Sequence, residues 1–240
     1  MRIQTLTVII PVYNEVNTIR QVLETITQLE LNPPLQKEIL VIDDGSLDGT
    51  ATLIQNFIAN DSGSNICLVQ HHRNRGKGAA IQTGIQQASG DFIIIQDADL
   101  EYDPEEINIL LEPVLKGRAD VVYGSRFMGG RAHRVLFYWH SVGNKFLTFL
   151  SNMVTDLNLT DMESGYKLFR REILQNIPLR ENGFGFEPEV TAKMARIPGI
   201  RVYEVGISYY GRTYEQGKKI NWRDGCWAIW CIFKYGLLRR

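Results

Sequence analysis

The chain has 240 residues, of which 44% are hydrophobic and 22% are charged, a balance typical of a globular domain with a buried core. Its formal net charge of −1 argues against a nucleic-acid-binding protein, because such proteins usually carry a strong basic excess. The three cysteines, Cys67, Cys226 and Cys231, follow no CxxC spacing, which argues against a disulfide framework or a zinc site and favours a reducing compartment.

The first half of the chain alternates short apolar runs with amphipathic segments. The runs are rich in Val and Ile and too short for helices, and they predict strands at residues 7–12, 38–43, 66–70, 92–96 and 120–124. Apolar residues from Ile19 to Leu29 have helical spacing. Another helix is expected to start at Asp103, an N-cap acid followed by a first-turn Pro104 and a capping-box Glu106. Strands that alternate with helices predict an α/β fold, a mainly parallel sheet with helices on both faces.

The second half of the chain is less regular. Apolar residues in the range 135–154 have mixed spacing, residues 166–169 and 201–210 predict further strands, and residues 209–221 predict a polar loop. Without a linker or a repeat, residues 1–240 are expected to form a single domain, with a nucleotide- and metal-binding half at 1–126 and an acceptor half at 127–240. No stretch approaches the roughly 20 apolar residues that a membrane-spanning helix needs, so we expect no membrane crossing.

Polar or charged side chains follow every predicted strand of the first half. Ligands of parallel sheets bind outside the carboxyl ends of the strands, so these residues form the candidate site. Turn chemistry alone accounts for any one of the groups, but less well for all of them together. In chain order they are Pro11, Tyr13, Asn14 and Glu15; Asp43, Asp44 and Ser46; Asn74, Arg75 and Lys77; Asp97 and Asp99; and Ser125 and Arg126.

The pair Asp97 and Asp99 follows the fourth predicted strand. Residues i and i+2 of an extended chain point in the same direction, so both carboxylates are able to converge on one cation. Two carboxylates suit Mg²⁺ or Mn²⁺, with water and diphosphate oxygens as the remaining ligands. The alternative is a polar loop that caps the helix at Asp103.

The pair Asp43 and Asp44 also has two interpretations. Either the two acids cap the helix that starts near Asp48, or one carboxylate accepts hydrogen bonds from a nucleobase or a ribose. The second is favoured because a cap needs one acid rather than two. The segment around Lys77 is similar to a truncated phosphate loop, and a nucleotide-side role and a plain helix start are equally compatible with it.

These residues together resemble the family-two inverting glycosyltransferases, which have the GT-A fold. The second half of the chain resembles the dolichol-phosphate mannose synthase and polyprenyl-phosphate glucosyltransferase branch of that family. The segments that carry the resemblance are VIIPVYNE at 8–15, VIDDGS at 41–46, GKGAA at 76–80, DADL at 97–100, YGSRF at 123–127, DMESGYK at 161–167, FEPE at 186–189, YGR at 210–212 and GKK at 217–219.

The resemblance implies a role for each matching residue. Pro11, Tyr13, Glu15 and Asp44 are expected to frame the nucleotide, Asp97 and Asp99 to hold the metal, Arg212 and Lys218 to bind the donor diphosphate, and Arg126 with Arg131 or Arg134 to bind the acceptor phosphate. Many relatives carry Gln two residues after the second metal-binding Asp. Here that position is Glu101, which adds a third carboxylate as a candidate metal ligand.

The acceptor determines whether the reaction needs a base. A lipid phosphate is already ionised at pH 7 and needs only cations, which the basic cluster of Arg126, Arg131, His133 and Arg134 is expected to provide. A solvated basic loop is the alternative for that cluster. A sugar hydroxyl must lose a proton, and Glu163 is then the candidate base. If the acceptor is a phosphate, Glu163 is expected only to support a neighbouring cation.

The segment 226–233 is strongly aromatic and apolar, and Lys234, Arg239 and Arg240 follow it. Such an amphipathic C-terminal helix is able to lie in the membrane interface or to dock on a membrane partner subunit, and a helix packed on the core is the alternative. The leading hypothesis is a cytoplasmic, peripheral polyprenyl-phosphate glycosyltransferase that uses a nucleotide sugar. Its competitors are a transferase with a hydroxyl acceptor, a nucleotidyltransferase and a non-catalytic subunit that binds sugar nucleotides.

Overall fold

A computed structural model of the protein describes residues 3–61, 63–129, 134–135, 137–212 and 222–237. The strands of its sheet lie close to their predicted positions, although the last one is shorter than the predicted range 201–210. They are β1 (Thr5–Val12), β2 (Gln36–Asp43), β3 (Asn65–Gln70), β4 (Phe92–Ile95), β5 (Val121–Ser125), β6 (Lys167–Arg170) and β7 (Val202–Gly206).

The strands form one seven-stranded sheet in the order β3-β2-β1-β4-β6-β5-β7. All neighbouring pairs are parallel except β4–β6 and β6–β5, because β6 runs antiparallel between them. The register aligns Val12 of β1 with Asp43 of β2, and Asp43 with Gln70 of β3. The parallel strands therefore end along one edge, here called the carboxyl edge. Since β6 runs the other way, the segment that precedes it arrives at the same edge.

Helices cover both faces of the sheet. Residues that alternate along β1 point to opposite faces: Val8 and Ile10 pack in one core and Ile9 in the other. The helices are α1 (Ile19–Gln28), α2 (Thr50–Asn60), α3 (Lys77–Gln87), α4 (Ile107–Leu115), α5 (Tyr138–Thr155), α6 (Arg171–Gln175), α7 (Phe186–Met194) and α8 (Trp222–Leu237). The first core receives α1, α2 and α4, and the second receives α3, α6, α7 and α8. The predicted α/β fold with a mainly parallel sheet is confirmed.

The predicted N-cap at Asp103 is present at the start of α4, but Glu106 has a different role from the predicted one. The Asp103 side chain accepts a hydrogen bond from the Glu105 amide at 3.0 Å, as an N-cap does. The residues Pro104–Glu106 form a 3-10 turn before the α-helix. The Glu106 carboxylate, expected in a capping box, accepts bonds from the Ser208 amide and hydroxyl at 2.8 and 2.9 Å. It thereby fixes the chain that follows β7.

The apolar range 135–154, whose spacing predicted no definite element, is largely the helix α5. The aromatic C-terminal segment is also helical, and α8 is longer than the predicted range 226–233. The two helices pack together so closely that a Cβ on Gly236 would lie 2.4 Å from Val154 Cγ2. Within the described ranges, no helix is both long and apolar enough to span a bilayer. The single sheet joins both halves of the chain, and the boundary at residue 126 stays an interpretation.

Two helical glycines differ in how closely their surroundings are packed. A Cβ on Gly84 of α3 would lie 2.6 Å from Ile9 Cγ2, whereas nothing lies within 4 Å of the corresponding position on Gly143 of α5. Gly84→Ala should lower the free energy of unfolding by about 1–3 kcal/mol, because the overpacked core must shift. Gly143→Ala should raise it by roughly 0.5–1 kcal/mol through helix propensity. Urea unfolding of both variants measures the difference, and equal effects would contradict the described packing.

Candidate active site

The acids that follow β4 each contact a basic side chain from a distant part of the chain. Asp97 Oδ1 lies 2.7 Å from Lys77 Nζ, at the first residue of α3. Asp99 Oδ2 lies 2.9 Å from Arg212 Nη2, which follows β7. The structure therefore brings together four predicted site residues, the two candidate metal ligands and two candidate donor-binding cations.

Arg212 is surrounded by carboxylates. Besides Asp99, its guanidinium contacts Glu15 Oε2 at 3.2 Å and lies 3.6 Å from Glu101 Oε1. The backbone amide of Arg212 also donates to Glu101 Oε1 at 2.8 Å. Glu101 accepts a further bond from Tyr209 Oη at 2.8 Å. The Glu101 carboxylate thus orients Arg212, and its role as a third metal ligand stays a prediction.

The acids at this edge repel one another. Burial, followed by the charges of Asp97 and Glu101, raises the pKa of Asp99 to about 7. Burial lowers the pKa of Lys77, but the charges of Asp97 and Glu187 outweigh that effect and raise it well above its ordinary value. Lys77 is therefore a fixed positive charge beside these carboxylates.

The donor set at Asp97 and Asp99 fits a divalent cation. Their oxygens are hard ligands, and a positive ion would offset both the burial and the mutual repulsion that raise the pKa of Asp99. Among the described residues, no group of three or more His, Cys, Asp or Glu side chains is arranged to hold a metal. A two-carboxylate site suits Mg²⁺ or Mn²⁺ if phosphate oxygens and water complete the coordination.

On the nucleotide side, the two adjacent acids Asp43 and Asp44 perform different structural tasks. Asp43 Oδ1 accepts a bond from the Ser46 amide at 3.1 Å. Asp44 Oδ2 accepts from the Gly76 amide at 2.7 Å, and Asp44 Oδ1 lies 2.6 Å from His71 Nδ1. The Asp44 carboxylate thus anchors the loop that leads into α3. Pro11 is buried as the penultimate residue of β1, and Tyr13 and Glu15 lie half-buried just beyond that strand.

A second ion pair joins the end of β5 to the segment before β6. Arg126 Nε lies 2.6 Å from Asp161 Oδ2, and its Nη2 donates to Asp161 Oδ1 and Asn144 Oδ1 at 2.8 and 3.0 Å. In the described part of the chain, Nη1 has no hydrogen-bond partner. The Arg126 side chain as a whole is 17% exposed.

Glu163 lies in a cluster with Lys167 and Glu187. Its Oε1 atom is buried and has no partner among the described residues. Burial and the charge of Glu187 raise the pKa of Glu163, while burial lowers the pKa of Lys167. The Lys167 ammonium donates to the Ser164 carbonyl. Glu187 also lies 3.8 Å from Lys77, so this cluster adjoins the carboxylates at Asp97.

The remaining predicted acceptor residues are only partly described. Arg134 is exposed, and its Nη1 donates at 3.1 Å to the carbonyl of Gly211, the residue that precedes Arg212. Arg131, His133 and Lys218 lie outside the described residues. Their assignment to the acceptor and donor sites stays a prediction.

Three residues at the site, Tyr102, Gly165 and Lys167, have no role predicted from the sequence. The Gly165 amide donates to Tyr102 Oη at 3.1 Å, and a Cβ on Gly165 would lie 2.6 Å from Asp97 Oδ2. Glycine is therefore required for the close approach to Asp97. Lys167 carried a usable signal, since a lysine within the apolar run 166–169 must have a buried partner. For Tyr102, no local pattern distinguished a site residue from an ordinary core aromatic.

Relatives of the chain are named as polyprenyl-phosphate sugar transferases. It is 24% identical over 89% of its length to a dodecaprenyl-phosphate galacturonate synthase of Rhizobium johnstonii. It is 31% identical over 90% of its length to an undecaprenyl-phosphate 4-deoxy-4-formamido-L-arabinose transferase of Aeromonas hydrophila. The chain spans 61% and 63% of the lengths of these two relatives. An undecaprenyl-phosphate mannosyltransferase of Micrococcus luteus is 31% identical over 88% of this chain and 85% of its own length.

Solved structures share the fold. Glucosyl-3-phosphoglycerate synthase from Mycobacterium tuberculosis, in complex with Mn²⁺, UDP and phosphoglyceric acid, superimposes with a TM-score of 0.74. It is 20% identical, and the alignment covers 99% of this chain and 80% of that one. This likeness confirms the predicted GT-A architecture. The family model "Glycosyl transferase family 2" matches residues 7–177. With that match and the 31% identity to the Micrococcus luteus transferase, the chain belongs to glycosyl transferase family 2.

Proposed function

We propose that the protein transfers a sugar, with inversion, from a nucleotide-sugar donor to a polyprenyl phosphate. The observation that carries the proposal is the arrangement at the carboxyl edge, where Asp97 and Asp99 lie beside Lys77 and Arg212. This arrangement supplies both the anionic ligands and the cations that a leaving diphosphate requires. The names of the relatives support the polyprenyl phosphate as acceptor.

The transfer breaks the bond between the anomeric carbon and the diphosphate, and the nucleoside diphosphate leaves with the electron pair. An acceptor oxygen forms the new bond from the opposite face. A divalent cation held by Asp97 and Asp99 would supply charge neutralisation of the leaving diphosphate. Lys77 and Arg212 place positive charges beside the Asp97 and Asp99 carboxylates, and Arg212 is suited to bidentate bonds with phosphate. The Mn²⁺ and UDP in the structural relative are consistent with this donor site.

A phosphate acceptor needs no base, because it is ionised at neutral pH. Arg126 is the cation proposed to orient it. Asp161 fixes the guanidinium through Nε and Nη2, and Nη1 lies on the side of the guanidinium that does not bond Asp161. An acceptor hydroxyl is the second candidate, and one observation favours it. The Oε1 atom of Glu163, which is buried and has no partner among the described residues, is able to accept a proton or a hydrogen bond from a sugar hydroxyl.

We further propose that the protein binds the cytoplasmic face of a membrane through α5 and α8. These adjacent helices expose large aromatic side chains, including Trp139 at 77% and Trp230 at 55% exposure. Lys145 and Arg223, on the same two helices, are exposed cations. Aromatic residues beside basic ones suit the headgroup level of an anionic bilayer. The remaining exposed members of this aromatic face are Tyr138, Val142, Phe146, Phe149, Met153, Trp227, Phe233 and Leu237.

The proposed activity is tested by incubating the protein with Mn²⁺ or Mg²⁺, a polyprenyl phosphate and a panel of UDP- and GDP-sugars. A lipid-linked sugar phosphate is the expected product. With a phosphate acceptor, Arg126→Ala should reduce kcat/KM by about 100-fold or more, and Glu163→Gln should reduce it only partially. The opposite ranking would identify a hydroxyl acceptor with Glu163 as its base.

Arg126→Ala also leaves the buried Asp161 without its partner, so loss of folding must be separated from loss of acceptor binding. Arg126→Lys keeps a positive charge beside Asp161 and serves as the matched variant. It should retain the thermal unfolding midpoint better than Arg126→Ala, yet still raise the KM for polyprenyl phosphate. A normal KM in a folded Arg126→Lys protein would exclude the proposed acceptor contact.

Metal dependence has its own test. Chelation with EDTA should abolish turnover, and added Mn²⁺ should restore it. Asp99→Asn should weaken Mn²⁺ binding by about tenfold or more, because it neutralises one of the two carboxylates proposed to hold the metal. Binding is measured by electron paramagnetic resonance of free Mn²⁺ in the presence of UDP. Glu24→Gln, which alters an exposed carboxylate paired with Arg20, is the control and should leave Mn²⁺ binding unchanged.

The membrane proposal predicts cosedimentation with vesicles of phosphatidylglycerol and phosphatidylcholine. The double variant Trp139→Ser and Trp230→Ser should bind about tenfold more weakly, because two aromatic side chains no longer enter the interface. Tyr203→Ser, which alters a 41% exposed tyrosine on β7, is the control. Wild-type protein that remains in the supernatant with vesicles present would contradict the proposal.

A further inference from the structure

A buried carboxylate in the loop between α6 and α7 is held by the C-terminal helix. Glu181 is 7% exposed and lies in this loop. Its Oε2 accepts a hydrogen bond from Trp227 Nε1 at 3.0 Å, and its Oε1 accepts from Lys234 Nζ and Tyr235 Oη at 2.8 and 2.6 Å. All three donors belong to α8, so one side chain fixes the helix relative to the loop.

The fit between Glu181 and α8 is close. A Cβ on Gly185 would lie 2.8 Å from Cys231 Sγ and 3.0 Å from both Glu181 Oε2 and Trp227 Nε1. Burial raises the pKa of Glu181, but the hydrogen bonds from Lys234, Tyr235 and Trp227 outweigh it, and the pKa lies below its ordinary value. The carboxylate is therefore ionised at neutral pH and holds its donors through charge-assisted bonds.

The backbone of the same loop is bonded to the start of α3. The Ala79 amide donates to the Asn182 carbonyl at 3.0 Å, and Gln82 Nε2 donates to the Glu181 carbonyl at 2.9 Å. A Cβ on Gly78 would lie 2.3 Å from the backbone carbonyl oxygen of Glu181, and one on Gly76 would lie 2.4 Å from that of Asn182. Loop and helix start are thus in direct backbone contact, with no space between them.

The start of α3 carries Lys77, which contacts Asp97 at 2.7 Å. On its other side Lys77 faces Glu187 at 3.8 Å, and Glu187 lies in the first turn of α7, directly after the loop. A shift of the loop would therefore move both the backbone that carries Lys77 and one of its two carboxylate partners.

We propose that Glu181 is a positioning residue. It couples the position of α8 relative to the loop between α6 and α7 to the position of Lys77, and thereby sets the affinity for the donor diphosphate. The inference rests on the proposed donor role of Lys77. It goes beyond the proposed function because it makes a helix outside the donor site a determinant of donor binding. Glu181 itself contacts none of the proposed metal ligands.

The test separates binding of the donor from the rest of the reaction. Glu181→Gln removes the charge but keeps the size of the side chain. It should raise the KM for the sugar nucleotide about tenfold, while kcat and the KM for polyprenyl phosphate change less than about twofold. A merely structural defect would instead lower the fraction of active protein, and hence kcat, without changing the KM of one substrate alone.

Tyr235→Phe provides a second variant in case Glu181→Gln fails to fold. It deletes one hydroxyl donor without altering the loop, and it should raise the donor KM roughly threefold. Tyr203→Phe makes the same chemical change on β7, away from Glu181, and should leave the donor KM unchanged. If both single variants, Tyr235→Phe and Glu181→Gln, fold and keep the donor KM of the wild-type protein, the inference is overturned.

Calorimetric titration with UDP-glucose and GDP-mannose, without acceptor, distinguishes this inference from the proposed function. If wild-type protein binds a sugar nucleotide but forms no glycolipid, the proposed function fails. Weaker binding by Glu181→Gln would still support the coupling. If wild-type protein turns over and Glu181→Gln keeps the donor affinity, the inference alone fails. Absence of binding to either nucleotide by wild-type protein would overturn both.

Discussion

Removal of a charged side chain from water costs several kcal/mol unless an opposite charge replaces the lost hydration. At the carboxyl edge the chain buries several acids at once, and three of them are paired with basic side chains. Asp97 has Lys77, Asp99 has Arg212, and Asp161 has Arg126. These bases come from α3, from the chain after β7 and from the end of β5. Neutralisation of the acids therefore requires the whole sheet to be assembled.

The antiparallel strand β6 gives this edge its second group of functional residues. If β6 ran parallel to its neighbours, the segment that precedes it would lie at the opposite edge of the sheet. Its reversed direction brings Asp161, Glu163 and Gly165 next to the ends of β4 and β5. The acceptor side of the proposed reaction thus adjoins the donor side because of the direction of one short strand.

The C-terminal helix belongs to the catalytic fold as well as to the proposed membrane face. Ile232 of α8 is buried in the second core, while Trp230 is exposed on the aromatic face. On the same helix, Trp227, Lys234 and Tyr235 hold the Glu181 carboxylate. One helix therefore combines core packing, a polar contact to the donor-side loop and an apolar surface. A membrane that contacts this surface would act on a helix already linked to the donor side.

The sequence by itself determined the strands and the polar residues at their ends, because apolar periodicity and turn chemistry are local properties. It also indicated Asp97, Asp99, Arg126 and Arg212 as site residues, partly through resemblance. Only the tertiary structure decided their pairing, since Arg212 and Asp99 are 113 residues apart. It also revealed α5 as a helix. The sequence did not predict this helix, because apolar residues on its solvent-facing side add to those on its buried side and obscure the helical periodicity. The tasks of Asp44 and Glu181 depend on contacts between distant segments, which no local pattern encodes.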